Sequence, residues 1–399
     1  MSQMSITDDT DVVRIYDELT EGRRSHLRVA ELVYGVAEQF PGVLPTRSAI
    51  DAERQLLQKN KVGLEIDQGI FVSRVLANRD TGLHLLHAMS LPTSEARERR
   101  QEFELTGSVD LGPVRVDRDG TLGTVTVQNL AVLNAEDDRS VSALETAVDL
   151  VLLDDRIEVG VLRGAVSTHP KYAGQRILGS GIDLTALYQG KISLIEFMIE
   201  RELGALNKIY RGHGIRDDEV RGSDARPEKP WIAALESFAI GGACQWLLVV
   251  DHVVAETGSY FSLPARKEGI IPGCAALRLP QVVGDRLARQ AILFERVFNV
   301  DEPGGQLMVD KVVKADEISG AIESAASMLT GAGVAALLGN RRTLRVAREP
   351  LDRFRLYMSV YSYEQARCLY SPGLIANLER NWKVAQRSTA STPGDASDL

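Results

Sequence analysis

Cysteine is scarce in this chain, which has only Cys244, Cys274 and Cys368 in 399 residues. An odd, sparse and widely spaced set of cysteines is typical of a reducing cytoplasm and argues against a disulfide framework. Long apolar runs are also missing, since none approaches the roughly 20 residues that a membrane-spanning helix needs. The first residues, MSQMSITDDTD, are polar and acidic, unlike a secretory signal peptide. We therefore expect a cytoplasmic protein that does not enter a membrane.

Basic clusters with interleaved aromatic residues are absent, and the net charge is −9, so we expect no nucleic-acid partner. Metal-binding motifs are absent too, because the six histidines form no His-Glu-x-x-His and the cysteines no Cys-x-x-Cys. His84 and His87 share a helix face, but such a pair without a clear carboxylate is usually structural. Gly179 and Gly181 begin like a dinucleotide-binding fingerprint, whose third glycine is replaced by Leu184. We expect no metal and no flavin or nicotinamide cofactor.

The composition, 44% hydrophobic and 25% charged, is that of a globular protein with a full core. Apolar residues recur at helical spacing from residue 11 to about residue 105. Within this stretch we expect one long helix from Ser48 to Asn78, weakened but not ended by Gly63 and Gly69. The pattern predicts a helical N-terminal domain over residues 1–108.

The character of the chain changes at about residue 109. Residues 114–128 alternate around Asp119-Gly120, which predicts a β-hairpin, and further strands are expected at 157–164, 231–235, 252–256 and 260–263. Helices are predicted between them, including residues 192–210 and 243–250, so residues 109–315 should form an α/β layered core. A C-terminal helical region is expected over residues 316–387, and the Ser/Thr/Pro/Asp-rich tail, residues 388–399, should be disordered.

The turn at Gly241-Gly242 joins a predicted strand to a predicted buried helix. The first backbone N–H groups of such a helix have no partner in the helix itself. Gly242 has no Cβ, so a ligand oxygen can approach its N–H closely. The pattern therefore indicates half of an oxyanion hole, with an ordinary tight turn as the alternative reading.

Three sequence blocks resemble the crotonase (enoyl-CoA hydratase/isomerase) superfamily. They are Gly179-Ser-Gly-Ile-Asp-Leu, Lys229-Pro-Trp-Ile-Ala-Ala-Leu-Glu-Ser-Phe-Ala-Ile-Gly-Gly-Ala-Cys-Gln, and Phe261-Ser-Leu-Pro-Ala-Arg-Lys-Glu-Gly-Ile-Ile-Pro-Gly. The resemblance implies a ββα superhelix core that binds acyl-CoA thioesters, in a homotrimer or a hexamer built as a dimer of trimers. It also implies that the backbone N–H groups of Ile182 and Gly242 stabilise a thioester enolate.

Two positions depart from the hydratases of that superfamily. Where hydratases carry a glutamate on the helix after the glycine turn and another after the proline of the last block, this chain has Gln245 and Ala265. An amide cannot exchange a proton near neutral pH, and alanine has no polar group. We therefore expect a site that forms an enolate but does not hydrate a double bond.

The helical N-terminal region, the segment from His169 to Leu184, and Gln245 are together similar to one branch of the superfamily. Its members are dioxygenases that use no metal or organic cofactor. The resemblance implies that (3,5-dihydroxyphenyl)acetyl-CoA and O2 become an arylglyoxylate and CoA, in the dihydroxyphenylglycine branch of glycopeptide-antibiotic biosynthesis. Alternatives are another CoA-thioester enzyme (a hydrolase, isomerase or decarboxylase) or a crotonase-fold binding protein without activity.

The same resemblance implies that Glu136 and Arg201 meet the ring hydroxyl groups, although a solvated loop acid and a surface arginine are open alternatives. Glu136 and His169 are candidates for the base that removes the α-proton. We expect Gln245 to orient the substrate or an oxygenated intermediate. Further predicted substrate contacts are Leu130, His169, Pro170, Lys171, Tyr172, Ser180, Gly181, Asp183 and Leu184. The apolar candidates for a space that holds O2 are Ile270, Ile271, Ala275, Ala276 and Leu277.

Overall fold

The computed structural model describes Ile6 and residues 8–215, 227–331 and 333–382. The tail predicted for residues 388–399 lies outside the described residues. The strands are β1 Ser108–Asp110, β2 Val114–Asp119, β3 Leu122–Val127, β4 Val159–Gly164, β5 Trp231–Leu235, β6 Phe238–Ile240, β7 His252–Glu256, β8 Tyr260–Ser262, β9 Phe298–Asn299 and β10 Lys311–Val313.

Helices precede, flank and follow these strands. The N-terminal ones are α1 Asp9–Leu19, α2 Val29–Gln39, α3 Arg47–Glu53, α4 Glu65–Ala77, α5 Arg79–Met89 and α6 Ser94–Thr106. Those among the strands are α7 Asp138–Leu153, α8 Leu184–Tyr188, α9 Asn207–Arg211, α10 Gly242–Trp246, α11 Ala265–Glu268, α12 Ala275–Val283, α13 Asp285–Phe294 and α14 Pro303–Gln306. The C-terminal ones are α15 Ile318–Gly331, α16 Val334–Arg348, α17 Leu351–Leu369 and α18 Pro372–Trp382.

Seven strands form the main sheet, in the order β1-β2-β3-β4-β5-β7-β10. The hairpin β2–β3 is antiparallel and turns at Gly120, whose φ of 55° suits glycine, whereas β3, β4, β5, β7 and β10 pair in parallel. A smaller sheet of β6, β8 and β9 lies beside it. Parallel strands need helical crossovers, which cover the sheet and keep it buried. The predicted α/β class with flanking helical regions is confirmed.

The N-terminal helices do not stand apart from the rest of the chain. Their apolar side chains share one core with α17 and with the segment around Leu194 to Leu203. Gly69 allows α4 and α17 to pack closely, because a Cβ added there would lie 2.7 Å from the Cβ of Ala366 on α17. Ile182 and Cys274, which border the site described below, belong to the same core. The division into domains stays a prediction.

The single helix predicted from Ser48 to Asn78 is wrong. The chain leaves the helix after Glu53 and re-enters one at Glu65. Gly63 adopts a φ of 94°, which helical residues cannot have. The carboxylate of Glu53 holds the break, because it accepts hydrogen bonds from three consecutive backbone N–H groups at 2.7, 2.8 and 3.1 Å, those of Val62, Gly63 and Leu64.

Two further helices differ from expectation. The segment predicted as a helix over residues 192–210 is helical, but its stretches Leu194–Ile199 and Glu202–Leu206 are π-helical. Such wider turns concentrate at functional sites. The helix predicted for residues 243–250 is shorter, ending at Trp246. Among the described helices, no single one is long and apolar enough to cross a membrane. One pair of helices, Ala315–Thr330 and Val334–Arg348, is bent by 97° and meets the requirements for a membrane span in length and composition only.

Candidate active site

The Gly241-Gly242 turn connects β6 to α10. Gly241 has a φ of 55° and a ψ of −114°, a conformation that a residue with a side chain rarely adopts. Its own N–H donates to the carbonyl of Ser262 at 2.9 Å, which ties the turn to β8. Gly242 is the first residue of α10, so its N–H has no acceptor within the helix.

The segment Gly179–Asp183 lies directly against this turn. The N–H of Ile240 donates to the carbonyl of Gly179 at 3.0 Å, and Ile182 forms an isolated parallel bridge with Glu136. In the described part of the chain, neither the N–H of Ile182 nor that of Gly242 donates to a protein acceptor. The fold therefore brings the two predicted oxyanion donors to the border of one cavity, with their N–H groups unused.

The empty space between the atoms that line this cavity, including its opening to solvent, is about 430 Å³. Its apolar lining consists of Ile182, Phe197, Met198, Ala265, Ile270, Ile271 and Pro272 together with Gly241, Gly242 and Gly273. Its polar lining consists of Glu136, Arg201, Glu202, Gln245, Glu268 and Tyr361. Of the apolar residues predicted to hold O2, Ile270 and Ile271 line the cavity. Ala275, Ala276 and Leu277 do not, because Ala275 and Leu277 pack into the cores and Ala276 faces solvent.

A buried ion-pair network forms the polar wall. Arg201 and Glu136 are each 3% exposed, which excludes the solvated alternatives for both. The Arg201 guanidinium donates through Nε and Nη2 to Glu136 Oε1 at 3.1 Å, and through Nη1 to Glu202 Oε1 at 2.9 Å. Nη2 also donates to the carbonyl of Gly242 at 2.8 Å. Burial raises the pKa of Glu136, and the Arg201 charge offsets part of that rise.

Two acceptors of this wall have no hydrogen-bond partner among the described residues. They are Glu136 Oε2 and Gln245 Oε1, both buried. Glu136 Oε2 lies so near the Gly242 backbone that a Cβ built on Gly242 would be 1.8 Å from it. Gln245 Oε1 and Glu202 Oε1 both approach Gly273, at 2.6 and 2.2 Å from a Cβ built there. Because buried acceptors are rarely left unpaired, this wall is suited to a ligand that carries O–H or N–H donors.

One carboxyl group of the site was missed from the sequence. Ala265 stands where hydratases have a glutamate, but Glu268, three residues later on α11, lines the same cavity and is 5% exposed. Burial raises the pKa of Glu268 to about 7. Residues three apart on a helix share a face, so the spacing from Ala265 was a signal that could have found it. The replacement of glutamate by Ala265 therefore does not leave this side of the cavity without a carboxyl group.

The remaining predicted substrate contacts lie outside the cavity lining. Leu130 begins a 3₁₀ turn, and the hydroxyl of Ser180 donates to the carbonyl of Val132 at 3.3 Å, so these two segments are neighbours. Gly181 accepts a hydrogen bond from the N–H of Glu136 at 2.7 Å and has a φ of 88°. Asp183 caps α8 and Leu184 begins it, so both hold the Ile182 segment in place.

The segment His169–Tyr172 forms a turn that does not line the cavity. His169 Nδ1 accepts from the N–H of Lys171 at 3.3 Å, and Pro170 opens the turn. The Lys171 ammonium lies 5.2 Å from the centre of the Tyr172 ring, which packs edge-on against Phe238. His169 is not among the residues that line the cavity.

The described residues contain no cluster of metal ligands. No three His, Cys, Asp or Glu side chains among them come together in a way that could hold a metal ion. The expected independence from metals and organic cofactors stays a prediction.

Comparisons with known proteins extend these observations. The enoyl-CoA hydratase/isomerase family model matches residues 224–345. The (3,5-dihydroxyphenyl)acetyl-CoA 1,2-dioxygenase of Amycolatopsis orientalis is 47% identical over 364 residues, 91% of this chain and 82% of that protein. The crotonyl-CoA hydratase of Syntrophomonas wolfei is 26% identical over 220 residues, 55% of this chain and 75% of that protein.

Solved structures agree on the fold. An enoyl-CoA hydratase from Mycobacterium avium subsp. paratuberculosis superposes with a TM-score of 0.55 at 18% identity, covering 67% of this chain and 98% of that one. An enoyl-CoA hydratase from Bacillus halodurans also gives 0.55, at 17% identity, covering 67% of this chain and 100% of that one. With the cavity and its glycine turn, these matches show that the chain belongs to the crotonase (enoyl-CoA hydratase/isomerase) family of enzymes.

Proposed function

We propose that this protein is a dioxygenase that converts (3,5-dihydroxyphenyl)acetyl-CoA and O2 into (3,5-dihydroxyphenyl)glyoxylate and CoA. One observation carries the proposal: the cavity joins two unused N–H donors to a wall of unpaired acceptors, with Gln245 and Ala265 at the hydratase positions. The 47% identity to a dioxygenase of that activity supports it. The alignment covers 91% of this chain, so it includes most of the N-terminal helices as well as the α/β core.

The first step is formation of an enolate. The α-C–H bonds of an arylacetyl thioester are acidified by the carbonyl group and by the ring. As the α-proton leaves, negative charge collects on the thioester oxygen, which the N–H groups of Ile182 and Gly242 stabilise. Each fixed donor in a water-excluded site contributes on the order of 3 kcal/mol to such a step.

The enolate then reacts with O2. One electron passes to O2, and recombination of the two radicals makes a C–O bond, which gives a peroxide at the α-carbon. The distal peroxide oxygen attacks the thioester carbonyl, and CoA leaves as the thiolate. Cleavage of the O–O bond with loss of the second α-hydrogen as a proton gives the keto acid, which contains both atoms of O2. The walls formed by Ile270 and Ile271 give O2 an apolar space and keep water away.

The polar wall would recognise the dihydroxyphenyl ring. Phenolic O–H groups are donors, so they complement the unpaired oxygens of Glu136 and Gln245, and Arg201 keeps Glu136 in position. Ser180, Gly181, Asp183 and Leu184 would hold the donor segment in place. The CoA moiety would lie outside the cavity, against Leu130 and the turn formed by His169, Pro170, Lys171 and Tyr172.

The remaining parts of the proposal concern cofactors, assembly and setting. The enzyme would use no metal and no organic cofactor, with O2 as co-substrate. It would assemble as a homotrimer or as a hexamer in the cytoplasm and serve dihydroxyphenylglycine synthesis.

Oxygen uptake tests the proposal directly. Purified protein is given (3,5-dihydroxyphenyl)acetyl-CoA in the presence of a chelator, while O2 is followed with an electrode and CoA with a thiol reagent. We expect one O2 consumed for each CoA released. CoA release without O2 uptake would indicate a hydrolase and refute the dioxygenase. If neither O2 uptake nor CoA release is observed, the remaining possibilities are an isomerase, a decarboxylase or a binding protein.

A further inference from the structure

The carboxyl group of Glu268 lines the cavity, but it has no role in the reaction steps proposed above. It ends the short helix α11, on the face that also presents Ala265. Both residues line the cavity, and they are only 5% and 2% exposed. Formation of an enolate needs a base, and the segment of His169 is outside the cavity.

Each of the other titratable groups of the cavity is engaged by the protein through at least one atom, and the free Oε2 of Glu136 is the oxygen assigned above to the ring hydroxyl groups. Glu136 Oε1 is bound by Arg201, and both oxygens of Glu202 are used, one by Arg201 and one by the N–H of Cys274 at 3.0 Å. The Tyr361 hydroxyl donates to the carbonyl of Met198 at 3.2 Å. A base that is held by a guanidinium is weakened, because the positive charge favours its ionised form.

Glu268 differs from all of these. In the described structure no hydrogen bond or ion pair engages its carboxyl group. Its pKa is raised to about 7 by burial and lowered slightly by the neighbouring Lys267 ammonium. The helices that pack on α11, which are α13 and α18, add no charged group that shifts this pKa. A base with a pKa near the working pH is the most effective general base.

We propose that Glu268 is the base that removes the α-proton of the arylacetyl thioester, an inference that rests on the proposed function. The α-C–H bond breaks, the proton passes to a carboxylate oxygen of Glu268, and the electron pair moves into the thioester carbonyl. The resulting enolate oxygen is held by Ile182 and Gly242. The proton is returned when the CoA thiolate leaves, so Glu268 ends the cycle ionised and the overall reaction stays balanced.

The test compares Glu268→Gln with Glu200→Gln. Glu200 is a matched control, because burial also raises its pKa to about 7, its Oε1 accepts from the N–H of Ala30 at 2.9 Å, and it does not line the cavity. Turnover is measured as O2 uptake with ordinary and with α-dideuterated (3,5-dihydroxyphenyl)acetyl-CoA, over a range of pH. Thermal unfolding confirms that each variant is folded.

We expect Glu268→Gln to lower kcat at least about 100-fold and to change KM by less than about threefold. The rise of kcat/KM around pH 7 should be present in the wild type and in Glu200→Gln but absent in Glu268→Gln. If Glu268→Gln does not fold, Glu268→Asp replaces it, and it should keep the pH limb with a reduced rate.

The experiment distinguishes failure of the role of Glu268 from failure of the proposed function. A wild type that turns over with O2 uptake, together with a folded Glu268→Gln of unchanged rate and pH profile, would overturn the role of Glu268 alone. A Glu268→Asp variant at the wild-type rate, or one without the pH limb, would overturn it as well. A wild type that consumes no O2 would instead refute the proposed function.

Discussion

Gly242→Ala probes the closest approach in the site. The added Cβ would lie 1.8 Å from Glu136 Oε2 and 2.9 Å from Arg201 Nη2, whereas ordinary contact begins at 3.4 Å. The Glu136 carboxylate must therefore move by about 1.6 Å (3.4 minus 1.8). The φ of Gly242 is not in the left-handed region, so the backbone tolerates alanine and the strain falls on the side chains.

A displacement of more than 1 Å in the group that positions the substrate costs on the order of 100-fold, so we expect kcat/KM to fall by about that factor, or ~2.7 kcal/mol. The assay is CoA release at limiting substrate. Gly320→Ala is the control, because a Cβ there, on the surface of α15, meets nothing within 4 Å. A folded Gly242→Ala protein with the kcat/KM of the wild type would refute the tight placement of Glu136.

The collision can also be removed. In a Glu136→Ala background the carboxylate is gone, so adding Gly242→Ala should cost much less stability than it does in the wild type. Urea unfolding of the four proteins measures this coupling, and mutations in contact typically couple by about 0.5–3 kcal/mol. Additive effects would mean that the two groups do not touch.

Three further predictions concern the same site. Gly242→Pro adds a Cβ as Gly242→Ala does but also removes the backbone N–H, and proline is tolerated at the first position of a helix. In the CoA-release assay its kcat should be lower than that of Gly242→Ala by a further ~100-fold. Equal rates for the two variants would exclude the Gly242 N–H as an oxyanion donor. Gln245→Glu places a second carboxyl group beside Glu202, where like charges repel, so O2-dependent turnover should fall at least about tenfold. Turnover at the wild-type rate would contradict the role given to Gln245. The pKa of Glu268 is raised from 4.5 to about 7 in the folded state, so the wild-type protein loses stability as the pH rises between these values. The free energy of unfolding of Glu268→Gln, measured by urea titration, should therefore rise by ~3 kcal/mol relative to that of the wild type from pH 4.5 to pH 7. A difference between the two proteins that does not change with pH would contradict the raised pKa.

Local sequence signals were sufficient for the strands and for the donor turn. The alternation in residues 114–128 and the Asp119-Gly120 pair specify a hairpin through short-range geometry, and the glycine pair at Gly241-Gly242 marks a turn that only glycine adopts easily. These features depend on neighbours in the chain, so the sequence alone could predict them.

Features that depend on distant residues were missed. The break after Glu53 is held by a carboxylate that reaches residues 62–64, which no periodicity reveals. The burial of Glu136 and Arg201 depends on a pairing across 65 positions. The pKa of Glu268 is raised by burial among elements that are distant in the sequence, and within the described structure its carboxyl group has no hydrogen-bond or ion-pair partner, so this shift could emerge only from the three-dimensional structure.

The central claim is that this crotonase fold transfers both atoms of O2 to an arylacetyl thioester. Turnover of (3,5-dihydroxyphenyl)acetyl-CoA under ¹⁸O2, with immediate borohydride reduction to prevent exchange of the keto oxygen, tests it by mass spectrometry of the acid produced. The mechanism predicts doubly labelled product, with one ¹⁸O at the former α-carbon and one in the carboxylate. Product with one labelled oxygen, or unlabelled acid released with CoA, would contradict it.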